Sequence, residues 1–253
     1  MYYFALLILL FTWIVGYWVM RRAAAGKVPY VRHIAAFEAI DEAIGRASEM
    51  GRPVHLTTGH SGAGLYSKLA SDHLAGLSML NYVAKRCAES ATDVIATVAF
   101  SEMIPVAEDI IRFASIGVGK PEFYRDDMVR FASDNWLGYD MYAMRMASEA
   151  AANIMIGAMD STSSAIIACG GAIAGAMNIG GARAAGDICQ LVPFCDYVLI
   201  GEETPAAGAI VSGDTDSLAS SVSTDYTKAL IVVIILLGIM MASIGLSMDW
   251  VSM

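Results

Sequence analysis

Apolar and polar positions follow two regimes along this chain. At both ends the apolar residues run without interruption, and residues 2–20 and 229–248 contain no charged side chain. At about 1.5 Å per helical residue, each run is just long enough to cross a hydrocarbon core of ~30 Å. Between them the apolar positions are periodic. Ile34, Phe37, Ile40, Ile44 and Ala47 recur at helical spacing with Glu38, Asp41, Glu42, Arg46 and Glu49 on the other faces, and Gly51 and Pro53 end that helix. Residues 53–57 read as a strand, followed by a glycine-rich loop over 59–64. A helix from about Ser71 then buries Leu74, Leu77, Leu80, Val83 and Cys87. Residues 93–100 give the strongest strand signal, with Ser101 placed to cap the next helix.

The second half repeats this rhythm. Residues 128–132 predict a short strand, and Ser133, Asp134 and Asn135 are cap candidates for a Met- and Tyr-rich helix reaching about Ala151. Residues 153–158 read as a strand, Asp160-Ser161-Thr162 open a short helix, and the small-residue run 171–179 reads as another strand. A short helix over 187–194, a last strand over 197–201 and a helix opening at Glu202-Glu203 follow. Strands that are apolar on both faces and alternate with helices mean a parallel sheet covered on both sides. The expected fold is therefore α/β, a Rossmann-like parallel sheet flanked by an N-terminal and a C-terminal transmembrane helix. Its expected parts are a first span over 2–20, a basic linker over 21–33, an α/β domain over 34–211, a flexible polar tether over 212–227 and a second span over 229–248.

The cations orient this arrangement. Arg21, Arg22, Lys27 and Arg32 follow the first run and nothing positive precedes it, the reverse of a signal peptide. Lys228 immediately precedes the second run. Lys and Arg beside membrane segments favour the cytoplasm, so the expectation is a two-pass cell-membrane protein with its domain cytoplasmic and both termini outside. Tyr2, Tyr3, Tyr17, Trp18 and Trp250 suit the two interfaces, and Trp13 lies deeper. A formal charge of −9, carried by the middle of the chain, offers no basic face and argues against nucleic acid. Cys87, Cys169, Cys189 and Cys195 form no C-x-x-C pair and have no histidine at metal-finger spacing, so no metal site is expected and the cysteines read as small core residues.

Candidate chemistry gathers where parallel sheets bind ligands, beyond the carboxyl ends of the strands. The loop Gly59, His60, Ser61, Gly62, Ala63, Gly64 lies between a strand and a helix, where glycines let backbone N–H groups approach a phosphate. Its order is G-x-x-G-x-G, neither the dinucleotide fingerprint nor a P-loop, and a tight turn explains it equally. Ser101, Asp134, Asp160, Ser161, Glu202 and Glu203 complete the candidate ligand set, with Thr57, Thr58, Glu102 and Arg183 near them. The same residue types serve as helix caps and first-turn acids in any such fold. The pattern names no cofactor, and no G-x-S-x-G, H-E-x-x-H or Cys–His signature marks an enzyme. Gly170, Gly171, Gly175, Gly180 and Gly181 permit close backbone packing, within the domain or between copies.

Three segments, residues 32–40, 51–55 and 195–203, resemble in order those of a prokaryotic family of uncharacterised membrane-anchored α/β proteins, over most of residues 32 to 213. The resemblance implies one domain tied to a membrane and carries no activity, and the stretch from Asp160 to Gly186 departs most from the family pattern. The leading expectation is a membrane-tethered module acting in assembly or scaffolding, whose partners are the lipid bilayer and copies of itself or a larger membrane complex. The alternative is a small-molecule or nucleotide-binding sensor or enzyme using the crevice at the strand ends.

Overall fold

Six segments rich in apolar and β-branched residues pair side by side as strands: β1 (Val54–Gly59), β2 (Val94–Val98), β3 (Val129–Phe131), β4 (Ala152–Ala158), β5 (Met177–Ala182) and β6 (Tyr197–Ile200). All pairs are parallel, in the order β3-β2-β1-β4-β5-β6. The chain builds outward from β1 to β3, then returns to lay β4 on the other side of β1. This is the order of doubly wound dinucleotide-binding sheets, whose switch point falls between β1 and β4. The computed structural model describes residues 2–25, 34–133, 149–213 and 215–251. The chain divides into two units, Arg32–Gly213 and the paired ends Met1–Val31 with Asp214–Met253.

The helices are α1 (Tyr2–Ala24), α2 (Ala35–Met50), α3 (Ala70–Ser90), α4 (Met103–Gly117), α5 (Ser161–Ile173), α6 (Ala185–Leu191), α7 (Glu203–Ser212) and α8 (Thr215–Val251). One sheet face presents Leu56, Ala96, Val98, Ile154, Ile156 and Ile179 to a core that also takes Ile40 and Ile44 of α2, Leu80 and Val83 of α3, Met103 and Ile111 of α4 and Ala207 of α7. The alternate residue Met155 points the other way, with Ile167 and Ala168 of α5 and Leu191 of α6. Helices thus cover both faces. Across α2 and α3, the Tyr82 hydroxyl and the Arg86 guanidinium both donate to Asp41 at 2.9 Å. Burial and that carboxylate push the Tyr82 phenol up to about 12.

Under α5 the sheet is polar. His55, Asn153 and Asn178 stand in register across β1, β4 and β5, and all three are buried. Asn153 Nδ2 donates to Asn178 Oδ1 at 2.7 Å, and Asn178 Nδ2 donates to the carbonyls of Phe194 and Ala168 at 2.9 and 3.1 Å. The Asn178 backbone N–H reaches Asp196. Satisfied amides in a core specify one register, because a slipped strand would leave them unpaired. Gly171 rests on this row: a Cβ there would lie 2.0 Å from Asn178 Oδ1 and 2.7 Å from Asn153 Nδ2.

Several expectations change. Residues 171–173 finish α5, and the strand begins at Met177; Gly171 lies within the helix because its close seat on Asn153 and Asn178 leaves no room for a side chain. Leu74 is 55% exposed whereas Asp72 and His73 are buried, because α3 meets the sheet at Gly76 and α7 at Ala75, which rotates its buried face. Ser101 makes no side-chain cap; its carbonyl accepts from Ile104 N–H instead. Cys87 is buried as expected, but Cys189 is exposed. Asp134 and most of the Met- and Tyr-rich stretch lie outside the described residues.

In the smaller unit, the stretch expected as a flexible tether is helical from Thr215 onward. Its hydroxyls turn inward to the helix's own carbonyls: Ser223 and Thr224 donate to Ser220, and Thr227 to Ser223. Among the described residues, Leu218–Met240 is long and apolar enough by length and composition to cross a membrane, starting earlier than the uncharged run at Ala229. Helix α1 does not register as a second such segment. Val19 and Ala23 of α1 bury against Ala219 of α8, with Val15 and Val222 beside them.

Gly171→Ala would gain about 1 kcal/mol of helix propensity but drive a methyl into the amide row. Overpacking and loss of the Asn153–Asn178 bond should make it destabilising by about 1–3 kcal/mol net, read by denaturant unfolding of the full chain. Gly186→Ala, where a Cβ meets nothing, is the control and should be neutral to stabilising.

Candidate functional site

The switch point between β1 and β4 is built from backbone in close approach. At Gly59, φ is +90° and a Cβ would lie 2.3 Å from the Ala158 carbonyl oxygen, so only glycine fits. Beyond it the chain turns so that the N–H groups of both His60 and Ser61 donate to that same carbonyl, at 2.7 and 2.9 Å. Two amides that a phosphate would use are thereby spent on β4. Gly62 and Gly64 follow with positive φ, and Gly64 lies beneath the Glu102 carboxylate. The loop then passes through a short 3-10 turn, Gly64–Tyr66, before α3 begins at Ala70.

The first turn of α3 carries its own anion. Asp72 is buried there, its side chain 3% exposed, and pairs with Arg183, which follows β5, at 3.3 Å. A carboxylate at a helix N-terminus complements the dipole that would otherwise attract a phosphate. Next to it, His73 is fully buried with Nδ1 3.1 Å from the Thr58 carbonyl oxygen and Nε2 3.0 Å from that of Ser61. A neutral ring donates to one of these and an imidazolium to both. The Phe100 ring meets it edge-on at 5.4 Å. His73 ties the glycine loop to β1.

Across the switch point Asp160 caps α5: its Oδ1 accepts from the N–H groups of Thr162 and Ser163 at 2.8 and 3.3 Å. Its other oxygen lies 3.7 Å from Nε2 of the buried His60. Ser161 supplies backbone to the helix start. Half-buried Asp187 is held above the ordinary carboxylate value, by burial first and by the charge of Asp160 second. Glu203 accepts the Ile200 N–H at 2.9 Å, a first-turn acid closing its own helix start, and Glu202 precedes it at the N-cap. Ser101 and Glu102 occupy the corresponding place after β2.

The candidates therefore divide. Gly59, His60, Ser61 and Asp160 converge at the switch point. Glu202 and Glu203 follow the outer strand β6, and Asp134 lies outside the described residues. Asp72, His73 and Asp187 escape sequence reasoning. Gly76, inside a helix where glycine costs about 1 kcal/mol, was the signal that α3 lies close on the sheet and turns its first residues inward. Among the described residues no group of three His, Cys, Asp or Glu side chains is arranged to hold a metal ion.

Because Asp187 binds its proton more readily folded than unfolded, its contribution to stability is most favourable below the ordinary value of 3.8. It falls as pH rises through the raised folded value. Asp187→Asn should flatten that decline and make the full chain more stable than the parent at neutral pH, measured as melting temperature against pH. A parent and variant with parallel profiles would show that Asp187 does not titrate this way.

No characterised protein and no solved structure matches the chain. One family model does, over residues 2–252, the two ends and the sheet domain together, and by that match the chain belongs to DUF6754, a domain of unknown function.

Proposed function

We propose that this is a membrane-held α/β module that assembles with copies of itself or with a larger membrane complex, its sheet domain on the cytoplasmic side. The observation that carries the reading is how much of the switch point's backbone and charge is bonded within the fold. Its loop amides bond Ala158, Asp72 with Arg183 fills the first turn of α3, and Asp160 caps α5. Groups already paired within the fold leave little for a substrate to bind. The anchoring part rests on Leu218–Met240 and on the exposed apolar side chains of α1, among them Leu9, Trp13 and Ile14. In this reading both helices cross the bilayer, the termini lie outside, and confinement to a surface raises the effective concentration of neighbouring copies.

A second reading, a sensor or enzyme for a small ligand, draws on Asp160 and Asp187. Their mutual repulsion at the strand ends would be relieved by a cationic group. Thermal-shift screening of the full chain against nucleotides, amines and divalent cations separates the two. A ligand of the folded state at 100 times its Kd stabilises by about 2.7 kcal/mol, and a uniformly flat screen would eliminate this reading.

Native mass spectrometry of the full chain released from membranes should show an oligomer or a co-purifying companion. A strict monomer without companions sinks the assembly proposal. For topology, cysteines placed by Ser220→Cys and Ser252→Cys, in a background lacking the native four, meet an impermeant thiol reagent in intact cells. Position 252 should label directly and position 220 only after lysis. The reverse pattern would put the domain outside.

A further inference from the structure

The pairing of α1 with α8 fixes which residues of the two helices stand at the same depth, and hydropathy does not supply that information. Ala23, Val19 and Val15 share a buried seam with Ala219 and Val222. Thr12 and Ile8 on α1 and Thr227, Leu230 and Ile234 on α8 are also partly buried. Burial extends from Ala23 back along α1 and from Ala219 forward along α8, which an antiparallel pair lays side by side, each step back along α1 matching one forward along α8. Residues 17 and 18 are then level with 224–226. This puts Tyr17, Trp18 and Tyr226, each more than half exposed, at a single height.

Cations flank that height. Arg21 stacks over Tyr17 with 5.8 Å to the ring centroid, and Arg22 over Trp18 with 4.9 Å. Lys228 lies about 5 Å further along its helix than residue 225 at 1.5 Å per residue, close enough to reach back, and it pairs with Asp225 at 3.8 Å. Asp225 and Asp216 are the carboxylates of this part of α8 among its described residues. Resting on the membrane-held reading above, we propose that Tyr17, Trp18, Arg21, Arg22, Tyr226 and Lys228 form a collar that takes the phosphates of anionic phospholipid headgroups. The collar sets the hairpin's depth at Tyr17 and Tyr226, not at the ends of the two uncharged runs. Aromatic rings belong at the headgroup level, and each nearby cation is attracted to an anionic surface. The hydroxyls of Ser223, Thr224 and Thr227 are satisfied inside the helix, so the polar run of α8 tolerates this depth.

The test uses the full chain with Trp13→Phe, Trp136→Phe and Trp250→Phe, leaving Trp18 as the reporter. It is reconstituted in vesicles of phosphatidylcholine and phosphatidylglycerol, with bromine on the acyl chains of one lipid or the other. Brominated phosphatidylglycerol should quench Trp18 more than brominated phosphatidylcholine. That preference should drop by roughly fivefold per cation removed in R21Q/R22Q and in K228Q, and should survive in R21K/R22K. Bromine near the headgroup should also quench more than bromine near the chain ends. Equal quenching by the two lipids, a preference that survives loss of the cations, or deeper quenching overturns the collar alone. A chain stripped from the vesicles by alkaline carbonate overturns the anchoring reading itself.

Discussion

Backbone meets backbone where α3 crosses the switch point. At Gly76 a side-chain carbon would stand 2.6 Å from the Ile156 carbonyl oxygen, and at Gly157 one would stand 1.9 Å from that of Thr58. On the same helix, Ala75 is met as closely by Gly208 of α7. This contact decides much else. It presses α3 onto the two central strands, turns His73 under the glycine loop and brings Asp72 within reach of Arg183. A helix seated one methyl further out would lose all three arrangements, since packed interiors do not deform continuously.

The two faces of the sheet do different work. The face under α3 is a packed hydrocarbon core, while the face under α5 holds His55, Asn153 and Asn178. Hydrocarbon supplies most of the folding free energy without direction, and hydrogen-bonded amides supply direction at little net gain. At the carboxyl ends of the strands polar groups bond across elements, β4 with the glycine loop and the residue after β5 with α3, while Asp160 caps its own helix. The fold has the strand order of a dinucleotide-binding sheet, and at the customary ligand position these groups also join one element to another.

The alternation of strands and helices was legible because the strands are short, mostly apolar runs bounded by Gly, Pro or acidic residues. The strands over 54–59, 94–98 and 197–200 overlap the expected 53–57, 93–100 and 197–201, although β1 runs on into Gly59 of the loop. The reading failed where a residue type has two uses. Gly170 and Gly171 resemble strand or interface glycines, and only the amide row beneath them explains why they are helical. The stretch 212–227 reads as a tether because serine and threonine compete for backbone hydrogen bonds, but the hydroxyls of Ser223, Thr224 and Thr227 close those bonds within α8 and the helix continues. The order of the strands was not legible, because nothing in β4 names β1 as its neighbour. Within the site, Asp160 was found because an N-cap has a sequence signature. His73 was missed because a buried histidine in a helix has none.

The position of β4 beside β1 also governs how the chain can be made. Residues between Gly59 and Ala152 must be synthesised before β1 has a partner on that side, an interval on the order of 5–20 s at ribosomal rates. Once it is made, β2 can shield one flank of β1, but the other remains a bare row of amides and carbonyls until β4 arrives, the kind of edge that recruits other chains. The N-terminal half therefore emerges from the ribosome as an unfinished sheet, dependent on chaperones or on rapid elongation. A stall in the long interval before Ala152 would be more damaging than one after β4 has docked.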